Sequence, residues 1–523
     1  MLLCRSIIVV LSITFAAAAC SDDNGSSGEP ETDGPPSSTT AVETTTSAAT
    51  STPSTSTTTT MPLRGEAVAT PTVDGPITGG ERGGLPANPA PREILDQYGY
   101  VEEEFFISGE AAAYVPVGEL GEDGVWTVET GATAPYTTRI LVRRPADPAD
   151  ANGVVGVEWL NVSGGQDADP DFGFLYPEIV ARGSTWVGVS AQFGGVDGPG
   201  LGIEIPGVNP IPLKTADPTR YEPIDHPGDD HSYDMYSQAA QAIRRPGGVD
   251  LLGGVPPDHV IAIGESQSAG RLTAYINAVH PLADIYDGFL VHSRFGAAPL
   301  SADSDLPEVV RFRTDLADPI LWFQTETDVA RAFVARQPDT DRLVTWELAG
   351  AAHADQSQLD YGNASIRVIE PDFSVPDFEE LCGGILNQGP QPLVLQRAWS
   401  DLVRWVVDGS MPATAPELEV QDGAIVRDEL GIAAGGIRTP DVDVPIAVHS
   451  GAPRADASVI CSLFGSTTPL PTEVLAERYP THEDYVEQVS ASADTALEAG
   501  FLLPEGVEAL VAEAEAEAAS VPG

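Results

Sequence analysis

The chain has 523 residues and a formal charge of −52 at pH 7, and Lys214 is its single lysine. Such a surface has few cations to neutralise phosphates and none to spare for an anionic membrane, so the composition argues against nucleic acid and against lipid headgroups as partners. The length allows a large buried core, and residues 64–523 are expected to form one decorated domain.

The N-terminal residues have the pattern of an export signal. Arg5 precedes an apolar run that ends at Ala19 and is shorter than a membrane-spanning helix requires. The segment Ala17-Ala18-Ala19-Cys20 resembles a bacterial lipobox, although Ala17 stands where leucine is usual. We expect residues 1–19 to be a signal peptide and Cys20 to be lipidated. The alternative is an ordinary cleaved signal in which Cys20 has no role.

The next segment, residues 20–63, is rich in serine, threonine and proline and has almost no large apolar side chains. Such a composition cannot offset the entropy of ordering, so we expect a disordered tether. A tether after a lipidated cysteine separates a domain from a membrane. This predicts an exported protein, anchored by lipid to the outer face of the bacterial cytoplasmic membrane or to the cell envelope.

Short apolar segments alternate with helical patterns through the rest of the chain. The expected strands are 102–117, 138–142, 154–160, 185–190, 260–263, 289–291, 319–323 and 343–346. The expected helices are 172–182, 232–245, 267–280, 396–408 and the acidic region from 480 onward. The alternation predicts an α/β-hydrolase fold, with a mostly parallel central sheet flanked by helices. Residues 194–231 are predicted to form a lid-like insertion, and a C-terminal extension begins at about 411.

The most informative motif is Gly264-Glu265-Ser266-Gln267-Ser268, which lies between an expected strand and an expected helix. A serine on a sharp strand-to-helix turn is how an α/β-hydrolase presents its nucleophile. The second glycine of the usual pattern is replaced here by Ser268, which is also small. Ser266 is therefore the predicted nucleophile, and Ser268 is the alternative.

Two later strands lead into residues that could complete a catalytic triad. In this fold the acid and then the histidine follow the nucleophile along the chain. His353 is the predicted base, and Asp328 is the predicted acid, with Glu326 as the alternative. Another histidine, His292, follows the strand at 289–291 and is interpreted as a structural residue, with a position in the pocket lining as the alternative.

Hydrolysis through a serine also needs two N–H donors for the oxyanion. One is expected from Gln267, directly after the nucleophile. The other is expected from the glycine-containing loop 161–165, at Val162 or alternatively at Ser163. The chain has no CxxC or HExxH motif, and neither a metal nor a cofactor is expected.

Two cysteines, Cys382 and Cys461, lie in the part expected to be exported. In an oxidising compartment the simplest interpretation is a disulfide between them. The alternative is a pair of buried thiols.

Several motifs resemble a bacterial family known as the alpha/beta hydrolase domain family. They are Glu158-Trp159-Leu160-Asn161-Val162-Ser163, His226-Pro227-Gly228-Asp229, Gly264-Glu265-Ser266-Gln267-Ser268, Glu326-Thr327-Asp328 and Gly435-Gly436-Ile437-Arg438. The resemblance covers about residues 90–510. It implies the fold, a serine-hydrolase mechanism and the roles of Ser266 and His353. It leaves the choice between Glu326 and Asp328 open and implies no substrate.

These observations predict an extracytoplasmic serine hydrolase that cleaves the carboxylic ester of a small molecule through an acyl-enzyme. A thioesterase or an amidase would use the same residues. A non-catalytic surface lipoprotein on a hydrolase scaffold is an alternative of another class. The sequence indicates no oligomeric state.

Overall fold

A nine-stranded sheet forms the centre of the described part of the chain. The structure is a computed structural model, and it describes residues 64–198, 209–454, 457–517 and Val521. These residues belong to one compact unit, Met61–Gly523. The expected signal peptide, Cys20 and the tether lie outside the described residues, so the expectations for them stay predictions.

The strands of the large sheet are β1 (Thr72–Asp74), β2 (Tyr100–Pro116), β3 (Val128–Pro145), β4 (Val154–Trp159), β5 (Thr185–Val189), β6 (His259–Glu265), β7 (Gly288–His292), β8 (Ile320–Thr325) and β9 (Leu343–Leu348). Their order across the sheet is β1-β2-β3-β5-β4-β6-β7-β8-β9. Six neighbouring strands are parallel to one another, in the order β5-β4-β6-β7-β8-β9. Strands β1, β2 and β3 extend the sheet beyond β5 in antiparallel pairs. The expected mostly parallel sheet is therefore confirmed.

The helices are α1 (Arg92–Tyr98), α2 (Pro170–Ala181), α3 (Phe193–Val196), α4 (Leu213–Ala216), α5 (Ser232–Arg244), α6 (Gln267–Ala274), α7 (His280–Ala283), α8 (Glu326–Ala332), α9 (Gln356–Ile369), α10 (Phe378–Cys382), α11 (Gln391–Asp408), α12 (Pro440–Asp443), α13 (Val459–Leu463), α14 (Thr472–Arg478), α15 (His482–Glu498) and α16 (Pro504–Ala516). None of the helices in these described ranges is both long and apolar enough to cross a bilayer.

Both faces of the sheet are covered, as the apolar runs of its inner strands require. Along β6, Val260 and Ala262 belong to one hydrophobic cluster, which also contains side chains of α5 and α6. Ile261 and Ile263 belong to another, which contains side chains of α2 and α11. Because successive side chains of a strand point to opposite faces, this division places helices on both sides of the sheet.

Several helices differ from the expectations. The helix expected over 267–280 is interrupted, because a π-helical turn, Tyr275–Val279, separates α6 from α7. The longest of the helices that were not expected is α9. It contains Gly362 and Asn363, which are poor helix formers, and only Tyr361 and Ser365 are buried on it.

The C-terminal extension packs against the loops that follow β8 and β9. Ile437 donates its N–H to the carbonyl of Glu347 at 2.7 Å, and Ala349 donates to the carbonyl of Ile437 at 3.0 Å. Further along, Ala354 donates to the carbonyl of Leu463 at 3.0 Å. The extension thus supports the carboxyl ends of the parallel strands, where α/β folds place their functional residues.

The expected disulfide between Cys382 and Cys461 is present. It joins α10 to α13, and both cysteines are buried in a cluster that includes Ala354 and Phe464. The bridge therefore ties the extension to α10, and the cluster around it includes Ala354, the residue after His353.

Loss of this disulfide should lower stability. The crosslinked cysteines are 79 residues apart, and the chain-entropy model gives a loop of that size a stabilisation of about 4 kcal/mol. The double variant Cys382→Ala/Cys461→Ala should therefore unfold at lower denaturant concentration than the wild type. Reductant should lower the wild-type midpoint to a similar value and leave the double variant unchanged. Equal midpoints for oxidised wild type and double variant would contradict this role.

Candidate active site

Ser266 lies on the turn between β6 and α6, with backbone angles φ 58° and ψ −118°. A non-glycine residue seldom adopts a positive φ, and nucleophile turns are a known place for such strain. The turn is tight, because a Cβ on Gly264 would come within 3.0 Å of the carbonyl oxygen of Ser268. The N–H of Ser266 donates to the carbonyl of His292 at 3.0 Å, which anchors the turn to the end of β7.

Three of the predicted residues form one hydrogen-bonded chain. His353 Nε2 lies 2.8 Å from Ser266 Oγ, and His353 Nδ1 lies 2.7 Å from Asp328 Oδ1. Ser266 is partly exposed, whereas His353 and Asp328 are buried. Asp328 is held from its other side, since its Oδ2 accepts the N–H and the hydroxyl of Thr325 at 2.9 and 2.7 Å.

The charges of His353 and Asp328 support each other. Burial opposes the charged form of both groups, but their mutual attraction and hydrogen bonds outweigh it. The pKa of Asp328 is therefore lowered, and the pKa of His353 is raised above the ordinary value for histidine. An ionised Asp328 fixes the Nδ1–H tautomer of a neutral His353, which leaves the Nε2 lone pair for the hydroxyl of Ser266.

Glu326, the alternative acid, makes different contacts. Its Oε1 accepts the N–H of Gly350 at 2.7 Å, and its Oε2 accepts the N–H of Gly451 at 2.9 Å. Arg427 pairs with the same Oε2 at 2.6 Å. Glu326 thus joins the loop before His353 to the C-terminal extension, and the carboxylate beside the imidazole is that of Asp328.

Ser268, the alternative nucleophile, is fully buried in the first turn of α6. Its hydroxyl has no hydrogen-bond partner within the part of the chain that the structure describes. The hydroxyl that contacts His353 is that of Ser266.

The expected oxyanion donors differ in their availability. Ser163 donates its N–H to the side-chain oxygen of Asn161 at 2.8 Å, so this donor is already in use. Across the described ranges, the N–H groups of Val162 and Gln267 have no protein acceptor. Gln267 is also the first residue of α6, where N–H groups are free and the helix dipole favours negative charge.

His292 is fully buried, and its Nδ1 lies 2.8 Å from Asp171 Oδ1. The histidine side chain is therefore held inside the fold, while its backbone carbonyl anchors Ser266. These contacts agree with the interpretation of His292 as a structural residue.

Three residues near His353 have no role in the expectations drawn from the sequence. The ring of Phe295 stacks on the imidazole at a centroid distance of 4.7 Å, and Arg331 lies 4.7 Å above Phe295. Glu265 Oε1 lies 3.2 Å from His353 Nε2. Phe295 follows β7 in a loop without a distinctive motif, so the sequence carries no signal for it. Glu265 directly precedes Ser266 in the nucleophile motif, and this position is a signal that could have identified it.

One group of side chains has the composition of a metal site. His280, Asp284 and Asp318 offer ligand atoms within 4.8 Å of one another. However, Arg64 pairs with both carboxylates, and His280 Nε2 lies 2.8 Å from Asp318 Oδ2. The guanidinium of Arg64 and the imidazole of His280 already occupy these carboxylates, so the cluster is a structural ion-pair network.

A family model described as the alpha/beta hydrolase domain matches residues 73–512, which include every residue of the Ser266 site. The chain belongs to this family. Similar solved structures include the α/β serine hydrolase XC6422 of Xanthomonas campestris, described as lacking a lid, at 12% identity and a TM-score of 0.26, with 51% of this chain and 97% of that chain covered. A Rhizomucor miehei esterase has 11% identity and a TM-score of 0.25, covering 50% of this chain and 83% of its own. Esterase Est22 has 11% identity and a TM-score of 0.28, covering 53% and 82%. No curated protein matches this alpha/beta hydrolase.

Proposed function

We propose that this alpha/beta hydrolase cleaves carboxylic esters of small molecules through a covalent intermediate on Ser266. The observation that carries the proposal is the chain of two short contacts, 2.8 Å from Ser266 Oγ to His353 Nε2 and 2.7 Å from His353 Nδ1 to Asp328 Oδ1. Nucleophile, base and orienting carboxylate are then all within hydrogen-bond reach.

Acylation starts when Ser266 Oγ attacks the ester carbonyl carbon and its proton passes to His353 Nε2. The resulting imidazolium is stabilised by Asp328. The negative oxygen of the tetrahedral intermediate accepts hydrogen bonds from the N–H groups of Gln267 and Val162. His353 then donates its proton to the departing alkoxide, and an acyl group remains on Ser266.

Deacylation repeats the same steps with water as the nucleophile. His353 takes a proton from the water, which attacks the acyl carbon, and the oxyanion forms again at the same two donors. His353 finally returns the proton to Ser266 Oγ as the acid product leaves. No metal or cofactor takes part in the proposed sequence of steps.

The same residues could act on a thioester or an amide. We favour esters over amides because the ester carbonyl is more electrophilic than a resonance-stabilised amide and an alkoxide departs more readily than an amide nitrogen. A non-catalytic surface protein is the alternative from another class. It is disfavoured because a binding scaffold has no need for the Ser266–His353–Asp328 contacts.

Covalent labelling tests the nucleophile. A fluorophosphonate should label the wild type, and Ser266→Ala should remove the label and ester turnover. Ser268→Ala is the matched control, because it deletes a hydroxyl two residues away that does not contact His353, and its labelling should stay within a few-fold of the wild type. Labelling that survives in Ser266→Ala and disappears in Ser268→Ala would reverse the assignment.

Paired substitutions test the acid. Asp328→Asn should lower kcat by about 10³-fold or more, because an amide no longer fixes the imidazole tautomer or stabilises its charge. Glu326→Gln is the matched control, because it also replaces a carboxylate with an amide of the same size. It should keep kcat within a few-fold while costing about 2 kcal/mol of stability, since Arg427 loses its counter-charge. A loss of turnover confined to Glu326→Gln would make Glu326 the acid.

We also propose that the protein is exported and held by a lipid on Cys20. The support is the lipobox-like sequence and the tether after it, because a chain of charge −52 has no electrostatic means of membrane attachment. In a bacterial host, the wild type should fractionate with membranes and Cys20→Ala should not. Cys4→Ala is the control, since Cys4 lies within the expected signal, and it should stay with the membranes. Membrane association of Cys20→Ala would contradict the anchor.

A further inference from the structure

Glu265 is a buried acid that the proposed mechanism does not use. Its side chain is 4% exposed, and it directly precedes the nucleophile. Its Oε1 lies 3.2 Å from His353 Nε2, and its Oε2 accepts a hydrogen bond from Asn161 Nδ2 at 3.0 Å. Within the described residues, His353 is its sole partner that can carry a positive charge.

Two oxygen atoms therefore compete for one nitrogen. His353 Nε2 lies 2.8 Å from Ser266 Oγ and 3.2 Å from Glu265 Oε1. An ionised carboxylate facing the lone pair of a neutral imidazole would be repulsive. The contact is favourable only when a proton lies between the two atoms, either as Oε1–H donating to Nε2 or as Nε2–H donating to Oε1.

The surroundings of Glu265 favour retention of that proton. Burial raises the pKa of Glu265 to about 8, and the nearby carboxylates of Asp171 and Asp328 act in the same direction. The charge of His353 and the hydrogen bond from Asn161 oppose them. On the imidazole, Asp328 and Glu265 favour the charged ring, whereas burial and His292 disfavour it.

We propose that Glu265 is an auxiliary acid that shares one proton with His353, so that the general base titrates as a pair with Glu265. This inference rests on the proposed function of Ser266 and His353. The shared proton moves between Glu265 Oε1 and His353 Nε2, and no other bond changes. His353 can accept the proton of Ser266 only when its own Nε2 is free.

Glu265 has a second effect during acylation. When the proton of Ser266 reaches Nε2 and Glu265 is ionised, the imidazolium N–H has Oε1 as an acceptor besides Oγ, which by then is bonded to the acyl carbon. This second hydrogen bond holds the imidazolium ring in place until the departing alkoxide accepts the proton. On its other side, Glu265 holds Asn161, whose side-chain oxygen binds the N–H of Ser163 at 2.8 Å. One side chain thus joins the base to the proposed oxyanion loop.

A histidine titration tests the shared proton without any need for turnover. In protein with ¹³C-labelled histidine rings, the His353 signal, assigned by its absence in His353→Gln, should titrate in two steps in the wild type, because coupled groups lose protons in two macroscopic steps. Glu265→Gln should reduce this to a single step, with the midpoint about one pH unit lower. Asp355→Asn is the control: Asp355 is a buried acid two residues from His353 that caps α9, and asparagine can also cap, so two steps should remain.

Kinetics give a second readout that a purely structural role would not produce. In Glu265→Gln, the acid limb of kcat/KM should move to lower pH, and plateau kcat should fall roughly tenfold with KM unchanged. A single-step wild-type titration, or a Glu265→Gln profile that superimposes on the wild type, would overturn the inference. If Glu265→Gln fails to fold, the wild-type titration alone decides. A two-step titration in a protein without esterase activity would sustain the shared proton and reject the proposed function.

Discussion

The site depends on the left-handed backbone of Ser266. A non-glycine residue at φ 58° carries strain of about 1–3 kcal/mol. The fold offsets it with the buried β6 on one side, α6 on the other and the hydrogen bond from Ser266 N–H to the carbonyl of His292. This conformation lifts Oγ out of the strand direction towards His353 and brings the N–H of Gln267 to the start of a helix. A relaxed backbone at Ser266 would lose both arrangements together.

The histidine side of the site is held by the C-terminal extension. Gly451, in the extension, donates its N–H to Glu326 and accepts the hydroxyl proton of Thr327 at 2.7 Å. The same Thr327 oxygen accepts the N–H of His353 at 3.2 Å. The extension therefore acts on the position of the base through two short polar contacts. Glu326 shares the contact with Gly451, although it contacts neither Ser266 nor His353.

Much of the architecture could be predicted because its signals are local. The apolar runs of β4 to β9 and the motif at 264–268 define a parallel sheet and the place of the nucleophile turn, and Cys382 and Cys461 pair as expected. Position after β8 favours Asp328 over Glu326 as the acid, but the sequence leaves both open. Both follow β8 within a few residues, and the direction of each side chain is decided by partners distant in the chain, Gly350, Gly451 and Arg427 for Glu326 and His353 for Asp328.

The role of Glu265 illustrates another limit of sequence. Its position next to Ser266 is visible, but its proximity to Nε2 arises only after β6 and the loop after β9 meet. Helix α9 was missed for a different reason, because Gly362 and Asn363 in its middle are poor helix formers. The acidic composition, in contrast, is informative about binding partners. It is not informative about the site, whose chemistry depends on the buried groups Asp328, His353 and Glu265.

The central claim is that Ser266 attacks an ester carbonyl and keeps the acyl group. Rapid quenching of the protein with an activated ester, followed by mass spectrometry of the intact chain and of its peptides, measures this directly. We expect a transient mass increase equal to the acyl group, located on Ser266 and persisting longer when His353 is replaced by a residue that still allows slow acylation. Ester turnover without any acylated Ser266, or an acyl group on another residue, would contradict it.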